Sequence, residues 1–405
     1  MWAFLFNFVS MNVILFDKNR ANYYPLSFTR PISDFRIGIL TIKEKWEQYY
    51  KSVSVKTEDY LSYKFPNKTV RDNLWINAKT IPSKELVVEL KSLRKGEALT
   101  KKGELIAFRN STFDTKKLNK IDSNVIFNSL ESLSDIFFLN EKEINNDFNL
   151  MFNKQKLELQ ASVERSDQIN KSYIKIGNNP IYIEEGAKLQ YSILNTTEGP
   201  IYIGKNAEVM EGSIIRGPFA MLDNSVLKMG AKIYGGTTLG PFCKVGGEVN
   251  NSVFFGFSSK AHDGFLGNSV IGEWCNLGAG TNNSNLKNNY DEVKLWNYQL
   301  EKFENTNLQF CGLIMGDHSK CGINTMFNTG TVIGVSSNLF GSGFARNFIP
   351  SFSWGGAAGF SVYKLLKVFD VASRVYSRRN LSFDKIEKDI LSNVYDMTKR
   401  YRNES

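Results

Sequence analysis

The sequence predicts a molecule of two parts, an α/β domain with an open, Rossmann-like sheet and then a left-handed parallel β-helix with a C-terminal helical cap. Three observations predict it: apolar residues recur at every sixth position in the middle of the chain, strands alternate with helices before that region, and two amphipathic helices follow it. We place the α/β domain at residues 11–160, a linker at 161–180, the β-helix at 181–345 and the cap at 346–405.

The composition excludes several classes of protein. With 405 residues, 42% hydrophobic and 22% charged, the chain is neither disordered nor collagen-like nor a coiled coil. Its four cysteines form no C-x-x-C pair, which predicts reduced thiols and a cytoplasmic protein. The net charge is +9, but no basic stripe follows any one element, so we expect no nucleic-acid partner.

The period of six carries the fold prediction. A helix needs a spacing near 3.6 and a two-faced strand needs 2, so a strict six fits a coil of three six-residue units whose apolar residues fill a narrow interior. The pattern begins at Ile183, resumes at Ile271 and runs again from Met315 to Leu339. Its unbroken part consists of Ile203, Val209, Ile215, Met221, Leu227, Ile233, Leu239 and Val245.

The repeat is interrupted twice, and interruptions of a solenoid often carry function. The register slips around residues 254–265, and the pattern disappears into a polar excursion at 282–312. His262 lies in the slip, where a neutral imidazole can accept a proton from an attacking amine or hydroxyl. His318, the other histidine, lies inside a regular repeat and is expected to be a surface group.

Upstream, the pattern predicts strands at 12–16, 74–78 and 104–108 and helices at 36–50 and 84–93, the second capped by Ser83. This alternation is typical of an open α/β sheet.

The first sixteen residues carry no charge, yet they contain polar residues and fall short of the ~18–20 residues that a membrane helix needs. They also lack the basic start of a signal peptide. We therefore expect no membrane span, and read residues 1–10 as an extension before a natural start at Met11.

Downstream, an aromatic and glycine-rich stretch at 351–360 precedes two helices that we expect to cap the open end of the solenoid. The second helix is predicted to start at a Ser382 cap. Its apolar face consists of Ile386, Ile390, Leu391, Val394 and Met397.

Four short motifs carry a family resemblance. EVNNS (248–252), SKAH (259–262), LGNSVIG (266–272) and NLGAGT (276–281) resemble the acetyltransferase half of the bifunctional N-acetylglucosamine-1-phosphate uridylyltransferase/glucosamine-1-phosphate acetyltransferase (GlmU-type) family. The whole chain, including PLSFTRP (25–31), looks closer to a shorter group of sugar nucleotidyltransferases found in Bacteroidetes. The resemblance implies a transferase of nucleotide-sugar biosynthesis for the cell envelope.

The resemblance also implies a homotrimer, with acetyl-CoA or another acyl-CoA as a substrate bound between neighbouring β-helices. His262 matches the catalytic base, Asn276 an asparagine near the sugar and Ala279 a residue whose backbone meets the acyl-CoA. Asn285 matches an asparagine that orients the reacting groups. The expected reaction is acyl transfer to an amino sugar.

The chain departs from the family at several of these positions. One residue is missing before His262, Phe265 replaces a tyrosine that contacts the sugar, and Asn250 replaces a lysine. The missing lysine removes a charge that would hold an anionic acceptor.

The N-terminal half lacks the glycine-rich phosphate loop of nucleotidyltransferases. Arg20 and Arg30 are the residues that could bind the phosphates of a nucleotide or sugar phosphate instead. Mg²⁺ chemistry is possible there, but the usual acidic ligand is not evident, since the strand at 74–78 offers only Asn77.

Two other readings remain open at this stage. The chain could be a non-catalytic trimeric scaffold or nucleotide-sugar-binding protein, which the missing glycine loop favours. A β-helix carbonic anhydrase needs a three-histidine zinc site, and two histidines do not readily supply one.

Overall fold

The computed structural model describes residues 9–152 and 173–402, so most of the predicted linker at 161–180 lies outside the described part of the chain. The described residues group into two compact units. The first unit contains the first strand through Arg20, Thr29–Phe35 and Leu40–Glu131. The second contains Ala21–Phe28, Arg36–Ile39 and the chain from Ser132 onward.

The first unit is built on a six-stranded sheet in the order β2-β1-β3-β5-β4-β6. Its strands β1 to β6 are Val9–Phe16, Tyr50–Lys56, Asn73–Asn77, Glu97–Lys101, Glu104–Asn110 and Asn119–Asp122. Strand β1 pairs in parallel with both β2 and β3, whereas β5 is antiparallel to its two neighbours. The predicted α/β sheet is confirmed, with three strands that the sequence analysis did not find.

The helix predicted at 36–50 is wrong for most of its length. Only α1, Ile42–Glu47, is helical, because Thr41 and Glu44 form a capping box that starts it there. Tyr50 already begins β2, in which Tyr50 and Val55 are buried. The short helix α2 spans Asp59–Ser62. Helix α3, Lys84–Ser92, begins at the predicted Ser83 cap, whose side chain accepts from the Leu86 amide.

The second unit is a three-sided parallel β-helix, as the period of six predicted. Each coil contributes one strand to each of three faces, which we call the first, second and third face in chain order. On the first face lie β8 (Ile181–Ile183), β11 (Ile201–Ile203), β14 (Phe219–Met221), β17 (Thr237–Leu239), β20 (Val253–Gly256), β23 (Val270–Glu273), β28 (Leu313–Met315), β31 (Thr331–Ile333) and β33 (Phe348–Ile349).

The other two faces follow the same order. On the second lie β9 (Lys188–Leu189), β12 (Glu208–Val209), β15 (Val226–Leu227), β18 (Lys244–Val245), β21 (Ser259–Lys260), β24 (Asn276–Leu277), β29 (Lys320–Cys321), β32 (Asn338–Leu339), β34 (Ser353–Gly356) and β35 (Gly359–Val362). On the third lie β7 (Tyr173–Ile176), β10 (Ser192–Asn195), β13 (Ile214–Arg216), β16 (Lys232–Ile233), β19 (Glu248–Asn250) and β22 (Phe265–Gly267), and the chain then adds the pair β25 (Asn282–Asn283) and β30 (Met326–Phe327).

The apolar residues predicted to face inward do so. All eight residues of the unbroken series are buried in one continuous core cluster inside the prism. Burial of this aliphatic column is the main stabilising contribution, at roughly 25 cal/mol per Å² of apolar surface removed from water. The coils begin with Tyr173–Ile176, earlier than the predicted start at residue 181.

The register slip lies elsewhere than predicted. Phe254, Lys260 and Leu266 keep the spacing of six and point inward. The coil is instead shortened between Val245 and Phe254, where Val249 fills the interior position of the third face. A second shortening of one residue lies between Leu266 and Ile271.

The excursion leaves the prism where the third face turns into the first, between β25 and β28. It contains an antiparallel hairpin of β26, Lys294–Asn297, and β27, Lys302–Asn305. The hairpin returns the chain to the coil at Cys311, whose amide bonds to the Asn285 carbonyl.

Two helices from before the solenoid belong to the second unit: α4, Asp135–Phe138, and α5, Asn140–Met151. Asn140 begins α5 and donates to the Gly236 carbonyl at 2.7 Å, while its side-chain oxygen accepts from the Gly38 amide at 2.6 Å. Thr238 donates to the Gly38 carbonyl at 2.9 Å. These bonds fix α5 and the short segment Arg36–Ile39 on the first face.

Helices α6, Leu365–Ser377, and α7, Lys385–Met397, follow the last coil. The cap of α7 is Asp384, which accepts from the Glu387 amide, and not Ser382 as predicted. Ile390, Leu391 and Val394 are buried as expected, whereas Ile386 and Met397 remain exposed. Among the described residues, no helix combines the length and apolar character required to cross a bilayer.

Candidate functional site

His262 lies on an exposed turn between the second and third faces, the corner that we call the second edge. The turn 261–264 stacks against the turn 278–281 of the next coil, where the Gly280 amide donates to the Asp263 carbonyl at 2.9 Å. The sequence-predicted His262 and Ala279 therefore sit on neighbouring turns of one edge. No hydrogen bond to the His262 side chain exists among the described residues, so its ring is available to a ligand.

Lys260 determines the shape of this turn from inside the prism. Its side chain occupies an interior position, 1% exposed, where the coils on either side place Val245 and Leu277. The ammonium group donates to the His262 carbonyl at 2.8 Å and to the Gly246 carbonyl at 3.0 Å. Burial lowers the pKa of Lys260 to about 8, although the negative charge of Asp263 acts to raise it.

The coil below leaves room for the turn through two glycines. A Cβ added to Gly247 would lie 2.9 Å from the Asp263 Cα and 2.9 Å from the His262 carbonyl oxygen, and one added to Gly246 would lie 2.7 Å from the Ala261 carbonyl oxygen. Gly247 also has a φ of +74°, which a side chain disfavours. The shortened coil thus provides the space that the His262 turn fills.

Asn276, the predicted site residue on the second face, is exposed on β24 and points away from the core. Ala279 is half-buried in the following turn, and its carbonyl accepts from the Asn324 amide at 2.7 Å. The amides of Gly278, Gly280 and Thr281 also donate to backbone carbonyls, so the Ala279 amide is the backbone donor that this turn leaves for a ligand among the described residues.

Phe265, Asn250 and Asn285 gather on the third face around a single glycine. Asn250 pairs with Gly267 in the parallel register, and a Cβ on Gly267 would lie 2.6 Å from the Phe265 ring and 2.7 Å from the Asn285 amide nitrogen. Asn285 donates to the Asn268 side chain at 2.8 Å. The three residues therefore lie beside one another. Phe265 connects them to the proposed base, because it follows His262 by three residues in the chain.

An open groove of about 680 Å³ adjoins this cluster and contains Asn250. Its lining is polar and aromatic, with one cationic group and two carboxylates, a composition that suits a hydroxyl-rich ligand. The groups that we consider able to contact such a ligand are Glu198, Arg216, Tyr234, Asn250, Asn268 and Gln309.

In the first unit, Arg20 and Arg30 are brought together but are engaged within the fold. Arg20 lies 3.4 Å from the Asp17 carboxylate at the end of β1 and donates to the Arg30 carbonyl at 3.3 Å. Arg30 lies 3.3 Å from Asp34. Burial raises the pKa of Asp17 above its ordinary value. These buried pairs hold the loop after β1 in the place where nucleotidyltransferases carry glycine.

No group of three or more histidine, cysteine or acidic side chains that could hold a metal ion occurs in residues 9–152 and 173–402. Asn77 is buried at the end of β3 and donates to the Leu105 carbonyl at 3.4 Å.

Sequence reasoning missed the role of Lys260, although the signal was present. Counting six from Phe254 reaches Lys260, and counting six more reaches Leu266. A lysine in an inward register position predicts a buried ammonium, which must find carbonyl or carboxylate partners.

Comparisons with known proteins give one family match and several similar solved structures. A family model described as sugar nucleotidyl transferase matches residues 13–156. No curated protein matches the chain.

Solved structures similar to the chain include the polysialic-acid-specific acetyltransferase NeuO, with 12% identity, a TM-score of 0.29, and 52% of this chain and 99% of that chain covered. They also include UDP-N-acetylglucosamine acyltransferases. The one from Francisella novicida has 10% identity, a TM-score of 0.24 and coverage of 54% and 88%. The one from Arabidopsis has 16% identity, a TM-score of 0.23 and coverage of 58% and 84%.

Proposed function

We propose that the second unit transfers an acyl group from acyl-CoA to the amine of an amino sugar, with His262 as the general base. The observation that carries the proposal is the exposed His262 turn, which is held from inside by Lys260 and stacked against the Ala279 turn. The GlmU-type motifs at 248–281 coincide with these two turns.

In the proposed step, the sugar amine attacks the thioester carbonyl while its proton passes to the His262 imidazole. The C–S bond then breaks, the acyl group remains on nitrogen as an amide, and the thiolate leaves as CoA after taking up a proton. Among the described residues, the Ala279 amide is the backbone donor of the turn 278–281 that remains for the developing oxyanion, because the other three amides of the turn donate to backbone carbonyls.

The groove beside Asn250 is the proposed acceptor site. It offers hydroxyl, amide and carboxylate groups for the sugar, with Arg216 as its one cationic lining residue. We therefore propose that a neutral amino sugar is accepted more readily than a free sugar 1-phosphate.

The test is release of CoA thiol from acetyl-CoA by the purified full chain, in the presence of a panel of amino sugars and nucleotide-linked amino sugars. His262→Ala should lower kcat by about 10²–10⁴-fold, the range expected for loss of a general base. His318→Asn is the control for the other histidine. Contrary to the expectation of a surface group, His318 is buried at 7% exposure, and asparagine occupies the same left-handed backbone conformation at Asn206 and Asn224.

Equal rates for the wild type and His262→Ala would reject the proposal. Tight binding of sugars and acyl-CoA without turnover in any combination would select the alternative, a non-catalytic trimeric scaffold or nucleotide-sugar-binding protein.

For the first unit we propose binding of a nucleotide or sugar phosphate, supported by the sugar nucleotidyl transferase match over 13–156. Nucleotidyl transfer is the finer proposal, tested by pyrophosphate release from nucleoside triphosphates and sugar 1-phosphates with and without added Mg²⁺. Absence of pyrophosphate in every combination would leave only the binding role.

A further inference from the structure

A second recess lies on the second unit, beside the excursion. It has a volume of about 690 Å³ and an open mouth, within the size range of small-molecule sites. It is lined by Lys287, Lys294, Trp296, Phe303, Thr329, Arg346, Asn347 and Phe348. Three of these are cations, three are aromatic and none is acidic.

The aromatic lining is preorganised by the hairpin and the last coils. Trp296 stacks on Phe348, with ring centroids 4.2 Å apart and an angle of 11°. Phe303 contacts Trp296 edge-on at 5.3 Å and remains 40% exposed. The rings therefore form a rigid apolar wall that still offers an open ring surface.

Alternation along the hairpin separates its charges. Trp296 is directly opposite Phe303, and Lys294 lies two residues before Trp296, so all three share one face. Glu304 lies on the other face, where it accepts from Asn297 at 2.6 Å. The hairpin thus presents its aromatic rings and a cation to the recess and its carboxylate away from it.

The cations of the recess have no acidic partner among the described residues. The Lys287 ammonium donates to the backbone carbonyl of Glu292 at 2.6 Å, and in the described part of the chain neither the Lys294 side chain nor the Arg346 side chain has an ion pair or a hydrogen bond. Three positive charges around an apolar wall favour an anion that also has a flat ring.

We propose that this recess binds a nucleoside phosphate, with the base against Trp296 and Phe303 and the phosphates between Lys294 and Arg346. Stacking on aromatic rings tolerates any base, because every base has a π-face, and the cations recognise the phosphates. The site is separate from His262, which lies at the second edge, so it extends beyond the proposed acyl transfer and does not depend on it.

The test is isothermal titration of the full chain with ADP, UDP and coenzyme A, which separate a general nucleotide site from one that holds the acyl carrier. The double variant Lys294→Gln/Arg346→Gln should weaken binding at least about tenfold, since two charge-assisted contacts are lost. Lys302→Gln is the matched control, because it removes the same charge from the opposite face of the same hairpin. Adenosine without phosphate should bind more weakly than ADP.

A second readout locates the ligand. Quenching of tryptophan fluorescence by ADP should decrease in Trp296→Phe, which keeps a ring in the stack. Binding of coenzyme A but not of ADP or UDP would identify the acyl carrier as the ligand. Millimolar or absent binding of all three probes, or equal losses in the double variant and Lys302→Gln, would overturn the proposal, and acyl transfer at His262 would stand or fall independently.

Discussion

A single buried ammonium connects the interior of the prism to the exposed histidine. Lys260 occupies a position of the inward column where other coils place an aliphatic residue. Its ammonium group donates hydrogen bonds to the carbonyls of His262 and Gly246. A buried charge is tolerated only when its donors are satisfied. Burying this lysine therefore lowers the stability of the fold, while its hydrogen bonds hold the His262 turn in one conformation.

The pH dependence of stability should reveal this lysine. Its folded pKa of about 8 lies below the ordinary 10.5, so between these values the unfolded chain binds a proton that the folded chain has lost. The free energy of unfolding should therefore rise with pH across that window. In Lys260→Met the rise should be smaller, as urea unfolding at pH 7.5 and 9.5 would show. Identical slopes in both proteins would contradict the assignment of a buried lysine.

The space beneath the His262 turn should matter for activity more than for stability. Gly247→Ala should displace the turn and lower kcat by about 10²-fold, the loss expected for a misplacement of about 1 Å. Gly230→Ala is the control, because Gly230 has a similar φ of +68° on the same edge and a Cβ there would meet nothing within 4 Å. Both should lose about 1–2 kcal/mol of stability. Equal activity in the two variants would show that the packing of Gly247 does not determine the position of the His262 turn.

At the scale of elements, an aromatic ladder along the edge between the first and second faces anchors the C-terminal helix. Phe242, Phe257 and Trp274 stack on successive coils, with centroids 5.0 and 4.2 Å apart, and Tyr376 of α6 stacks on Trp274 at 4.0 Å. Arg379 then donates to the Phe242 carbonyl at 3.0 Å. Through these contacts α6 lies along the side of the coils.

Removal of one ring should therefore loosen α6. Tyr376→Ala should cost about 3–5 kcal/mol of local or global stability, as for other buried aromatic side chains. The measurement is hydrogen exchange of the α6 amides together with thermal unfolding. Leu366→Ala, on the exposed side of the same helix, should change stability by less than about 0.5 kcal/mol. Unchanged exchange in Tyr376→Ala would mean that α6 is held by other contacts.

At the scale of the whole molecule, the resemblance to the GlmU-type family implies that the proposed acyl-CoA site lies between neighbouring copies of the β-helix. We expect a trimer in analytical ultracentrifugation at micromolar concentration. If CoA lies between chains, mixed trimers of His262→Ala and a chain lacking the Ala279 turn should regain part of the activity. A monomer with full activity would reject the shared site.

The sequence alone determined the prism and its interior, because a six-residue period leaves one inward position per strand and only apolar residues fill it without cost. It also singled out His262, although the register slip predicted around that residue lies instead between Val245 and Phe254. It did not determine where the coil shortens, since glycines at 246 and 247 produce no periodic signal, nor that Lys260 points inward.

Only the tertiary structure decided which residues meet around the two recesses. The groove beside Asn250 and the basic recess beside Trp296 each join segments far apart in the chain. Such contacts depend on the stacking of coils and on the path of the excursion. Local periodicity predicts neither the stacking contacts nor the path of the excursion, because the residues of the excursion do not follow the six-residue period of the coils.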